Sequence, residues 1–93
     1  MSNKFEILMH QLDMPLKMRN SEAFLNAEIE KVLVHKVSRV WEFHFSFANI
    51  LPIEIFRELQ KRLAQEFSKT GNQAIFEIHC SAPQVTDELL QAY

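Results

Sequence analysis

VWEFHFSF, residues Val40–Phe47, places an aromatic ring at every second position: Trp41, Phe43, Phe45 and Phe47. Glu42, His44 and Ser46 fill the positions between. Side chains two apart on a strand project from one face. The alternation therefore predicts a strand over Val40–Ala48, with an aromatic wall on one face and a polar row on the other. In a chain of 93 residues this wall is a large share of the buriable apolar area. Leaving it in water would strip a small domain of much of its hydrophobic stabilisation. The wall is expected to be core, not a stacking platform for a ligand.

The flanking segments supply its neighbours. Upstream, EIEKVLVHK (Glu28–Lys36) is β-branched and partly alternating, which predicts a second strand. The short link Val37–Arg39 makes the pair an antiparallel hairpin, although no Gly or Asn marks the turn type. Downstream, LPIEIFRELQKRLAQEFSK opens on Pro52, which a first helical turn tolerates. Ile53, Phe56, Leu59, Leu63 and Phe67 follow at mostly three- and four-residue spacing, with Ile55 broadening the stripe. This helix is expected to seal the wall. Glu58–Arg62 and Arg62–Glu66 are opposite charges four apart on it. Gly71, the one glycine, stops the helix or turns the chain after it.

AIFEIHC (Ala74–Cys80) reads as a third strand, with Ile75, Glu77 and His79 on one face and Phe76, Ile78 and Cys80 on the other. At the front, Phe5, Leu8, Met9 and Leu12 predict a short helix ended by Pro15. Leu16–Asn20 reads as a connection, and Ser21 as the cap of a single helical turn over Glu22–Leu25. At the back, Thr86 caps an expected helix through Ala92. The order helix, strand, strand, long helix, strand, helix predicts an α+β fold in one compact domain, a small three-stranded sheet packed by helices.

Composition narrows the function classes. The chain is 47% hydrophobic and 24% charged, ordinary for a folded soluble domain. A net charge of -2 gives no whole-domain attraction to nucleic acid. Cys80 is the single cysteine, so neither an intrachain disulfide nor a thiolate zinc cluster forms. That fits a reducing cytoplasm, and no apolar run approaches the ~20 residues of a membrane span.

Candidate chemistry is sparse. His35 and His44 lie on adjacent hairpin strands, with His79, Glu42 or Glu77 as a conceivable third metal ligand, but no helical HxxxH or HExxH pattern is present. No metal site is assigned on sequence grounds. Cys80 lacks a partner pattern for nucleophilic catalysis, and the pair Glu28 and Glu30 reads as solvated edge carboxylates. The basic residues Lys36, Arg39, Arg57, Lys61 and Arg62 are the expected contacts to a partner, protein or nucleic acid. A charged, solvated helix face is the bland reading of the same residues.

The string from Ile29 to Phe67, with His35-Lys36, Ser38 and Trp41–Phe45 in the hairpin, Leu51-Pro52, and Arg62-Leu63 before Phe67, resembles the extreme N-terminal domain of the PolC-type DNA polymerase III alpha subunit. KFEILMHQLDM (Lys4–Met14) resembles the start of that family. The resemblance covers essentially the whole chain but only the front of a very long polymerase. It implies a parent that joins this domain to a nucleic-acid-binding β-barrel, a PHP domain, a proofreading exonuclease and a polymerase core. The catalytic acids and their magnesium ions belong to those later parts. No residue here inherits a catalytic or cofactor role. The resemblance also implies a type II KH-like fold, similar to the alpha-binding domain of the clamp-loader tau subunit. KTGNQ (Lys69–Gln73) lacks the GxxG loop with which KH modules clamp nucleotides. An accessory or docking role is thus expected, with tau, other replisome proteins or other domains of the parent as partners. Direct binding of single-stranded or duplex nucleic acid is the alternative.

Overall fold

The hairpin forms where the alternation places it. In the computed structural model, which describes residues 3–80, Glu28–His35 (β1) pairs antiparallel with Val40–Phe47 (β2) across a turn at 36–39. Arg39 takes the left-handed conformation there, φ 57°, which no glycine or asparagine announced. A bulge interrupts the β1 ladder between Ile29 and Lys31. Gln73–Cys80 (β3) pairs parallel with β2, so the sheet is mixed, in the order β1-β2-β3. Parallel neighbours need a crossover, and Ile53–Ser68 (α3) provides it.

The aromatic wall is core. Phe43, Phe45 and Phe47 are 5%, 0% and 0% exposed, and Trp41 is half-buried against them. One helix does not seal it, contrary to expectation. Lys4–Gln11 (α1) brings Phe5 edge-on to Phe45 and Phe47, with ring centroids 5.4 and 5.5 Å apart. α3 covers the other end, where Phe67 meets Trp41 at 5.3 Å and Phe43 at 5.5 Å. The reason is size. From Trp41 to Phe47 the wall runs about 20 Å at ~3.3 Å per residue, whereas one helix is ~10 Å across.

The apolar stripe of α3 is also turned from the expected one. Ile55, Leu59 and Leu63 are buried, while Ile53 is 60% exposed. Residues four apart lie on one face, and Ile53 stands two positions off that row. Phe56 flanks it and meets Phe76 of β3 at 5.1 Å. On β3, Ala74, Phe76 and Ile78 pack against the core, while Cys80, which shares the face of Phe76 and Ile78 by alternation, is exposed.

At the front, Asn3 caps α1. Its side-chain oxygen accepts from the Glu6 N–H at 2.8 Å, and its amide donates to the Ala27 carbonyl at 3.0 Å. Leu16–Arg19 (α2) is a one-turn helix, where a plain connection was expected. Four residues are too few to show a period. Ser21 accepts from the Ala23 N–H at 3.2 Å and caps a 3-10 turn over Glu22–Phe24. The expected helix over Thr86–Ala92 lies outside the described residues.

After α3 the Asn72 N–H donates back to the Phe67 carbonyl at 3.0 Å, and Gly71 takes φ 74°. A Cβ on Gly71 would also sit 3.3 Å from a guanidinium nitrogen of Arg39. Gly71→Ala is therefore expected to destabilise by about 1–2 kcal/mol, read as a lower urea midpoint at unchanged slope.

Arg62 ties α3 to the end of α1. It donates to the Glu58 carboxylate at 3.1 Å, to the Leu12 carbonyl at 3.2 Å, and to the Asp13 carbonyl. The Arg62 hydrogen bond holds the Glu58 carboxyl below its ordinary value of 4.5. A carboxylate depressed in the folded state stabilises above its unfolded value, and the gain is lost as pH falls through the lower folded value. The urea midpoint is expected to fall as pH drops below 4.5, and Glu58→Gln to shallow that acid limb.

Candidate functional site

The five cations named from sequence do not form one cluster. Lys36 and Arg39 are exposed in the β1–β2 turn, on either side of a fully exposed Val37. The Arg39 carbonyl accepts from the Gln73 N–H at 2.9 Å, which sets this turn beside the C-terminal end of α3. Arg57 is exposed near the start of α3, about 16 Å of helix away at ~1.5 Å per residue. Lys61 is exposed, with its ammonium 3.4 Å from Glu58. Arg62 is half-buried and engaged with Leu12, Asp13 and Glu58.

Beside the turn lies a surface that sequence reasoning missed. Val32 and Val34 stand opposite Phe43 and Trp41, hence on the helix-side face. They are nonetheless 37% and 46% exposed. β1 is an edge strand, with β2 on one side and no strand among the described residues on the other. Val32, Val34 and Val37 thus form an apolar margin bordered by Lys36 and Arg39. The signal was present in VLVHKV, whose branched residues outnumber what the predicted helices were assigned to cover.

The polar face of the sheet holds a second arrangement. His44 is buried despite its outward register. Its Nε2 lies 2.6 Å from Glu42 Oε2, and its Nδ1 lies 3.0 Å from Glu77 Oε2 and 3.3 Å from His79 Nε2. The rings of His44 and His79 stack at 5.6 Å. The other Glu42 oxygen meets His35 Nε2 at 3.2 Å. Hydrogen bonds from His44, then from His35, hold the Glu42 carboxyl below its ordinary value. His35 and His44 therefore share a carboxylate; they do not converge on one point. The parallel register of β3, which sets Glu77 beside His44, brings the cluster together. The sequence offered these residues as conceivable metal ligands, but centred them on His35 and His44, whereas the structure centres them on His44, Glu77 and His79.

No helix of the described residues is long and apolar enough to cross a membrane. The sequence profile of the family described as DNA polymerase III polC-type N-terminus I matches residues 4–78. The chain is 95% identical over 93 residues to the PolC-type DNA polymerase III of Streptococcus sanguinis strain SK36. It is 61% identical to that of Streptococcus pneumoniae strain D39 and 50% identical to that of Streptococcus agalactiae strain NEM316, again over 93 residues. Each match takes in all of this chain and 6% of the relative's own length. No solved structure matches the chain.

Proposed function

This chain belongs to the DNA polymerase III polC-type N-terminus I family, and from that membership we propose that residues 1–93 form a non-catalytic docking domain of a cytoplasmic replicative polymerase. Nucleotidyl transfer with magnesium ions belongs, on this reading, to the remainder of the longer protein. The observation that carries the docking role is the β1 margin: a strand edge left unpaired among the described residues, with exposed Val32, Val34 and Val37, bordered by Lys36 and Arg39. Exposed apolar area rimmed by charge is the surface type that protein partners use. An open edge adds backbone donors and acceptors for strand addition. The partner is a replisome protein with an acidic border, the clamp-loader tau subunit being the first to test. Lys36 and Arg39 steer it, and the valines hold it.

Nucleic-acid binding through the same cations is the rival. The buried wall withholds the stacking rings that sequence-tolerant strand binders use, and Arg57 and Lys61 stand away from the turn. In the full-length polymerase, Val34→Asp combined with Arg39→Glu is expected to weaken partner binding about tenfold or more, equivalent to ~1.4 kcal/mol, by surface plasmon resonance. Primer extension without partners should be unchanged. Anisotropy titrations with single-stranded and duplex DNA at two salt concentrations run beside it. Salt-steep DNA affinity lost in the same variant would replace the docking reading. Unaltered replisome contacts after deletion of residues 1–93 would end it.

A further inference from the structure

On the polar face of the sheet, we propose a binding site for one divalent transition-metal ion of the zinc class, with His44 Nδ1, His79 Nε2 and a Glu77 carboxylate oxygen as protein ligands. The site is independent of the docking surface and rests on different residues.

The first support is spacing. The three donor atoms are 3.0, 3.3 and 3.9 Å apart. Zinc holds nitrogen and oxygen ligands at about 2.0–2.2 Å in a tetrahedron, whose ligand–ligand edge is then ~3.4 Å. The triangle already has nearly that edge.

The second support is the setting of His44. Its side chain is 6% exposed, and a carboxylate faces each of its nitrogens, Glu42 at 2.6 Å and Glu77 at 3.0 Å. A neutral imidazole has one N–H. Given to Glu42, it leaves the Nδ1 lone pair on the side of Glu77 and His79, where it is available to a metal ion.

The third support is orientation. Glu42 fixes the far nitrogen of His44, and His35 in turn holds Glu42 at 3.2 Å. A carboxylate behind a ligating histidine is the usual outer support of a zinc site. Glu77 and His79 are 64% and 50% exposed at their side chains, so an ion has an entry path and a fourth position for water. Lys31 lies opposite His44 in register, and its exposed side chain has room to carry the ammonium away. Bound metal would clip β3 to β2.

The test uses the full-length polymerase, stripped with chelator and followed by hydrogen-exchange mass spectrometry at peptide resolution. Zn2+ at ten times its dissociation constant stabilises the bound form about elevenfold. Exchange in peptides spanning 40–47 and 73–80 is therefore expected to slow about tenfold, with no slowing from Mg2+. The exposed-site variants His79→Ala and Glu77→Gln should fold as the parent does and lose the zinc effect. Exchange indifferent to Zn2+ from pH 6 to 8 would overturn the site. Zinc-dependent slowing that survives in both variants would overturn the ligand assignment.

Discussion

Replacing Phe45 with alanine is expected to cost about 3–5 kcal/mol of folding free energy. The ring is 0% exposed, in the central strand. It stacks beside Phe43 at 5.7 Å and meets Phe5 at 5.4 Å and Phe76 at 5.6 Å. Truncation therefore opens a void among α1, β2 and β3 at once, and no single neighbour can fill it. A domain of this size has roughly 5–14 kcal/mol of stability, so the variant should lie near its unfolding limit. Urea unfolding followed by Trp41 fluorescence is a direct check, since that indole packs against Phe67. Ile53→Ala is the control. Ile53 is 60% exposed, and its loss should stay within about 0.5 kcal/mol. A loss below 1 kcal/mol at Phe45 would mean that the wall is not the core.

The second large effect is expected at Arg62. Arg62→Ala should cost about 1.5–3 kcal/mol, the range for hydrogen bonds to a charged group. The guanidinium serves the carbonyls of Leu12 and Asp13 together with Glu58. Removing it leaves the end of α1 without its tie to α3. Arg62→Lys keeps the charge but lacks the fork that reaches several acceptors, so it should recover only part of the loss. Arg57→Ala and Lys61→Ala, at exposed positions of the same helix, should change stability by less than about 0.5 kcal/mol. Equal effects at the three positions would show that Arg62 is not a clamp.

The strands were legible because their signal is local. Four alternate rings state a face, a period and a core without reference to any other segment, and Ala74–Cys80 does the same on a smaller scale. The cover over the wall was not legible. Phe5 stands forty residues before Phe45 in sequence, and nothing local says that α1 shares that work with α3. The row on α3 was misplaced by two residues at its start, because Ile53 and Ile55 are equally apolar and only packing chooses between them. The cations were visible as residue types, but their separation depends on the direction of the crossover. The histidine cluster depends on the register of a parallel pair, which leaves no mark in a turn or cap. His44 and His79 are thirty-five residues apart, and only β2–β3 pairing makes them neighbours.

The crossover through α3 also sets a schedule for synthesis. β1 and β2 leave the ribosome together and zip locally, but β2 stays without its second neighbour until Cys80 has been added, 33 residues after Phe47. At about 5–20 residues per second that delay is roughly 2–7 s. Throughout it the nascent chain carries a half-covered sheet of phenylalanines, the interval in which a chaperone would find it.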